Sequence, residues 1–165
     1  MDIQGNFDEK FQSIVDCYEN QFKLGLDIGS SLAVTYEGEI VIDIWAGTKD
    51  KAQTLPWEEN TIVNVFSSTK NATSLSAYVL ADQGKLDFSA PVAEYWPEFA
   101  QNGKENILVS HIMSHSSGLA GWDETVAGND LYDPDKVAAL FETQEPWWEP
   151  GTALGYHAIS VGNLM

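Results

Sequence analysis

Asn64-Val65-Phe66-Ser67-Ser68-Thr69-Lys70 is the stretch on which the reading of this chain turns. The β-branched run Thr61-Ile62-Val63 leads into it and predicts a short strand over 61–65. A Ser-rich turn follows, and a helical run from Asn71 to Gln83 stops at Gly84, a favourable residue just past a helix end. Ser67 is thereby placed at a helix N-terminus, where unpaired N–H groups and the positive end of the helix dipole converge. Lys70 comes one turn later on the same face. An amine at that spacing reaches the hydroxyl, which is what S-x-x-K serine hydrolases require. The competing reading is structural: Ser67 as an N-cap and Lys70 as a solvated first-turn residue. A first-turn lysine opposes the helix dipole, so that reading leaves an unfavourable charge unexplained.

Composition narrows the possible functions. Acidic residues outnumber basic ones 25 to 8 in 165 residues, giving a net charge of −17. Every basic residue is Lys. Such a charge repels phosphate backbones and anionic lipid, so neither nucleic acid nor a membrane surface is expected as a partner. Cys17 is the one cysteine, so no internal disulfide can form. Met1-Asp2-Ile3-Gln4-Gly5 has neither a basic nor an apolar leader segment, and no apolar run approaches a membrane span. The expected location is cytoplasmic.

Along the chain, Phe7, Phe11, Ile14, Val15, Tyr18 and Phe22 form one helical stripe, with Asn6 and Glu9 at capping-box spacing. From Ser31 to Trp45, Leu32, Val34 and Tyr36 alternate, Glu37-Gly38 turns, and Ile40, Ile42 and Ile44 alternate again. That is a β-hairpin with one buried face. Residues 47–60 are a polar loop. Beyond Gly84, a short helix is expected near 91–95 and ended by Pro97, and a turn at Asn102-Gly103. Ser110 is expected to cap a helix reaching Ser116-Ser117-Gly118. Asp133-Pro134 opens a further helix whose inner face holds Val137, Leu140 and Phe141. Tyr156 to Met165 reads as a helix that has only begun. The expected class is α+β, an antiparallel sheet covered by helices. One hairpin and a short strand cannot cover an apolar sheet face, so residues 1–165 are expected to be the N-terminal portion of a single, longer domain.

Taken together, Phe66-Ser67-Ser68-Thr69-Lys70, Asp82-Gln83-Gly84-Lys85-Leu86-Asp87, His111-Ile112-Met113-Ser114-His115-Ser116-Ser117-Gly118-Leu119, Pro150-Gly151-Thr152 and Tyr156 resemble the serine β-lactamase-related family. Its members include class C β-lactamases, D-aminopeptidases and family VIII carboxylesterases. The resemblance runs from about residue 5 to the end and implies a β-lactamase/D-peptidase-like fold, here in its N-terminal part. It implies three catalytic residues: Ser67 as the acyl-forming nucleophile, Lys70 as the motif lysine, and Tyr156 as the tyrosine of the second motif. Class C enzymes read Tyr-x-Asn there, whereas this chain reads Tyr156-His157-Ala158. Loss of an Asn that helps hold an amide side chain favours simple esters over β-lactams or D-peptides. The family's third motif, with its strands and a share of the oxyanion hole, is expected beyond residue 165.

The chemistry then follows from general requirements. A serine hydroxyl is a weak nucleophile until a base takes its proton. Either Lys70 or a Tyr156 phenolate stabilised by Lys70 fills that role, and the sequence does not choose between them. The expected partner is a small ester or amide, with no cofactor and no metal; a catalytically inactive scaffold is the non-enzymatic alternative. His111 and His115 stand at metal-ligand spacing, with Asp123, Glu124 or His157 as the only third ligands to consider, and without an H-E-x-x-H. By the resemblance, His115 to Gly118 is a structural turn. Trp147, Trp148 and Tyr156 suit an acyl pocket or simple packing equally. The absence of G-x-S-x-G, G-x-G-x-x-G and a Walker A run argues against an α/β-hydrolase elbow and against nucleotide binding.

Overall fold

The computed structural model describes residues 2–165, which divide into two compact units, up to Asn64 and from Val65 onward. In the first unit, strands β1 (Gln4–Phe7), β2 (Gly29–Tyr36) and β3 (Glu39–Gly47) form an antiparallel sheet in the order β1-β3-β2. Helix α1 (Gln12–Lys23) covers one face, packing Val15 and Tyr18 against Ile42, Ile44 and Ala46. Tyr18 satisfies its hydroxyl on Ser30 O at 2.8 Å, and burial raises its pKa. The β2–β3 turn is the expected Glu37-Gly38 pair, both with positive φ (53° and 89°), as a two-residue hairpin turn demands.

Four expectations up to residue 65 need correction. Phe7 belongs to β1 rather than to the helix. Asp8, accepting from Lys10 N at 3.0 Å, caps a 3₁₀ turn (Glu9–Phe11) that leads into α1, so Asn6 and Glu9 make no capping box. Ile40 does not share a face with Ile42 and Ile44. The register slips between Val34↔Ile42 and Thr35↔Ile40, so Val41 is an extra residue and Ile40 turns to the Thr35 side, 68% exposed. Finally, residues 61–65 form no strand. Ile62 is 93% exposed, and β-branched residues without a pairing partner do not make a sheet.

The second unit is helical. It contains α2 (Thr69–Asp82), α3 (Val109–Met113), α4 (Pro134–Thr143) and α5 (Val161–Leu164), with 3₁₀ turns at Phe66–Ser68, Val92–Glu94, Pro97–Phe99 and Gly128–Tyr132. Gly84 ends α2 with φ +68°. Asp133 caps α4 as expected, accepting from Lys136 N at 3.1 Å, with Pro134 in the first turn. Ser110 lies inside α3 rather than capping it, and Pro97 starts a turn instead of ending one. The core joins Val92, Phe99, Ile107, Ile112 and Leu119 to Val137, Phe141, Val161 and Leu164.

Lys104 sits fully buried beside that core, over the Phe99 ring. Its ammonium donates to Gln101 O (2.7 Å), Glu142 O (3.0 Å) and Gln144 O (2.7 Å). The last two carbonyls lie at the C-terminus of α4, where a cation complements the helix dipole. Burial lowers the Lys104 pKa, against the opposing pull of Glu105 and Glu145. Lys104→Met keeps the stem and the backbone bond to Gln101 O but takes the ammonium from the Glu142 and Gln144 carbonyls, so the expected loss is about 3 kcal/mol of unfolding free energy. Denaturant melts of the two proteins measure it, and equal midpoints would show the ammonium to be dispensable.

Candidate active site

The turn Phe66–Ser68 carries Ser67 to the surface two residues before α2 begins. Phe66 adopts φ +45°, a left-handed conformation that a bulky side chain rarely takes. Lys70, half-buried in the first turn of α2, donates to Ser67 Oγ at 3.1 Å and to Ala158 O at 2.8 Å. Its ammonium also lies 4.9 Å from the centre of the Tyr156 ring. The Tyr156 phenol, on a segment without regular structure, interacts with both Ser67 and Lys70. Thus the three residues singled out in the sequence meet in space, although Tyr156 is far from the others along the chain.

Electrostatics favour the ionised phenol. The Tyr156 pKa is lowered, first by its interaction with the Ser67 side chain and next by that with Lys70 and its charge. The arrangement supplies a hydroxyl, a phenol that loses its proton more easily than usual, and a cation touching both.

A second layer was not anticipated. His157, next to Tyr156, is fully buried. Its Nδ1 lies 2.9 Å from His115 Nδ1 and its Nε2 lies 2.8 Å from Ser117 Oγ. Burial, followed by the neighbouring His115, pushes the His157 pKa down to about 4. Burial and the Lys70 charge lower that of His115. In the sequence the two histidines come together only as candidate metal ligands, and His157 is otherwise marked only by its place beside the motif tyrosine.

His111 and His115 do not converge: His111 Nδ1 accepts from Leu108 N (3.3 Å), whereas His115 turns to His157. Among the described residues no cluster of at least three His, Cys, Asp or Glu side chains suits a metal ion. The tryptophans act as supports. Trp147 Nε1 donates to Asp123 (2.8 Å) and Trp148 Nε1 to Ala153 O (3.1 Å). The Trp148 ring packs so closely on Gly155 that a Cβ there would fall 2.1 Å from Trp148 Cη2.

The Beta-lactamase family model matches residues 20–165. This chain belongs to the β-lactamase family. Esterase/beta-lactamase LipL of Mycobacterium tuberculosis is 37% identical over 99% of the chain, which spans 38% of that protein. Among solved structures, a family VIII carboxylesterase is similar with a TM-score of 0.92 and 42% identity over 99% of the chain and 44% of its own. A penicillin-binding protein homolog from Caulobacter crescentus gives a TM-score of 0.94 and 33% identity over the same shares. The β-lactamase fold expected from the motifs is therefore the fold observed, and the chain spans about two fifths of these relatives' length. Among the described residues no helix is long and apolar enough to cross a membrane.

The depressed His157 pKa couples stability to pH. A histidine whose folded pKa lies below its unfolded value of about 6.5 stabilises fully above that value and loses the contribution as pH falls toward 4. One such buried group accounts for up to about 3 kcal/mol over that window. Unfolding free energies of the wild type are thus expected to fall between pH 7 and 4.5, and those of His157→Gln to fall less. Parallel curves would remove His157 as the cause.

Proposed function

We propose that this chain is the N-terminal portion of a serine hydrolase that cleaves small carboxylic esters through an acyl-enzyme on Ser67. The observation that carries this reading is the contact of Ser67 Oγ with the Lys70 ammonium at 3.1 Å, within reach of a phenol whose pKa is lowered. In the proposed cycle, the Tyr156 phenolate takes the Ser67 proton as Oγ attacks the ester carbonyl carbon. Lys70 holds the charge that favours the phenolate, and the Ser67 N–H is one donor to the oxyanion, worth about 3 kcal/mol. As the tetrahedral intermediate collapses, the C–O bond to the alcohol breaks and Tyr156 returns its proton to the leaving oxygen. Water, deprotonated by the same phenolate, then attacks the acyl carbon and Ser67 leaves as the free hydroxyl.

Between the candidate bases, the Tyr156 phenolate is favoured. Lys70 is already committed to Ser67 Oγ and the Ala158 carbonyl, which suits a fixed cation. The ester preference rests on Ala158, whose methyl side chain offers no hydrogen bond to a substrate amide. The names of the similar proteins, an esterase/beta-lactamase and a family VIII carboxylesterase, fit that choice. The first of those names fits a β-lactamase equally well, and a β-lactamase or D-amino-acid peptidase of the same fold is the alternative.

Short-chain nitrophenyl ester turnover and fluorophosphonate labelling of the intact protein test the reading. Ser67→Ala is expected to abolish both, and Tyr156→Phe to cost at least about 100-fold in kcat, the usual worth of a general base. The wild-type rate is expected to rise with pH through a pKa below the ordinary tyrosine value, since the base must be ionised. Ester turnover surviving Ser67→Ala would remove the nucleophile. Nitrocefin turnover exceeding ester turnover would favour the β-lactam alternative, and no adduct at any pH would favour an inactive scaffold.

A further inference from the structure

His115 sits where helices ordinarily place glycine. It follows α3 with φ +60°, while its N–H reaches Ile112 O (3.2 Å) and that of Ser116 reaches His111 O (2.8 Å). That is the Schellman termination of a helix, whose left-handed position costs a side-chain-bearing residue about 1–2 kcal/mol. A strained residue next to reactive groups calls for a reason beyond ending a helix.

The partners of His115 supply the reason. Its carbonyl accepts from Gly155 N at 2.9 Å, and its Nδ1 accepts from His157 N at 3.1 Å. Tyr156 lies between these two anchors, so the backbone on both sides of the phenol hangs from a single residue. The His115 ring is centred 5.0 Å from the Tyr156 ring and 5.0 Å from that of His157, which it meets at 27° between planes. Behind it, His157 meets Ser117 Oγ, which in turn accepts from Leu119 N at 3.2 Å.

One arrangement of protons satisfies the whole chain. Because His115 Nδ1 accepts from the main chain, it carries no hydrogen. His157 must then carry its proton on Nδ1, donating to His115, while its Nε2 accepts the Ser117 hydroxyl. The His115 proton resides on Nε2. Protonating His115 would set an Nδ1–H against two donors, so the chain holds only with that imidazole neutral. Lys70 and Tyr156 face His115 from the active-site side and His157 faces it from within.

Building on the hydrolase reading above, we propose that His115 and His157 are positioning residues. They form a neutral two-imidazole strut, rooted in Ser117, that holds the Tyr156 phenol on Ser67 and Lys70 and the Ala158 carbonyl on the Lys70 ammonium. Neither ring touches the reacting ester. Each acts through the Tyr156-His157-Ala158 backbone, and their neutrality leaves Lys70 as the local cation that stabilises the phenolate.

The test compares wild type, His157→Leu and His157→Asn in the intact protein, with nitrophenyl acetate as substrate. The Asn side chain can offer an N–H where the imidazole has Nδ1–H. His157→Leu is expected to lower kcat by about 100-fold with KM nearly unchanged, the cost of misplacing a catalytic group by about 1 Å. Its pH–rate limb should move upward, toward the ordinary tyrosine value, and His157→Asn should recover a large part of both. A purely structural role would not move the limb. An acylated wild type whose His157→Leu variant keeps its kcat and its limb overturns this inference alone. A wild type that is never acylated on Ser67 overturns the hydrolase reading, and this one with it. Should His157→Leu fail to fold, ¹⁵N spectra of the wild-type imidazoles decide. Nδ1–H on His157 with Nε2–H on His115 supports the strut; the reverse tautomers, or an imidazolium at neutral pH, overturn it.

Discussion

The bond from the Lys70 ammonium to the Ala158 carbonyl, 2.8 Å long between groups 88 residues apart, is the constraint around which the site is organised. It fixes the first turn of α2 to the segment that carries Tyr156. With it in place, the same ammonium reaches Ser67 Oγ without changing rotamer and lies against the aromatic ring. An ammonium has three donors, and a lysine that spends one on a fixed carbonyl surrenders much of its conformational freedom. The remaining donors are thereby aimed. A flexible stem becomes a located point charge, which is what stabilising a phenolate requires.

Lys104 makes the comparison instructive. Both lysines donate to backbone carbonyls, yet their surroundings differ. Lys104 is wholly enclosed, with all three donors taken up by carbonyls, and its cation serves the end of α4. Lys70 keeps part of its surface in solvent and faces two groups with labile protons. Burial alone thus does not separate a structural lysine from one proposed to take part in chemistry; the identity of the partners does.

How much could be read in advance follows from the range of each interaction. The β2–β3 hairpin was legible because alternation and the Glu37-Gly38 turn are local and agree. The bulge that turns Ile40 outward was not, since alternation within β3 carries no information about register with β2. β1 escaped notice as a strand of four residues containing a glycine, held by pairing with β3 rather than by its own pattern. Residues 61–65 mislead for the opposite reason: strong β propensity with no partner. At the site, the pairing of Ser67 with Lys70 followed from helical spacing. Tyr156 entered only through family resemblance, because nothing local distinguishes it. The His115–His157 contact spans 42 residues and joins a helix end to an irregular segment, so no periodicity announces it.

Two left-handed residues bracket the groups proposed to react, Phe66 beside Ser67 and His115 against Tyr156. Glycine would relieve the strain at either position, yet would also widen the conformations open to the turn in question. At Phe66 the strained backbone presents the Ser67 hydroxyl at the head of α2, within reach of an amine one turn further on. At His115 the same conformation directs a carbonyl and a ring nitrogen of one residue to the two N–H groups flanking Tyr156. A glycine there would retain the carbonyl bond and lose the ring. The strain at His115 therefore accompanies a contact that only a side chain can make, and it lies where the groups to be aligned come from distant parts of the sequence.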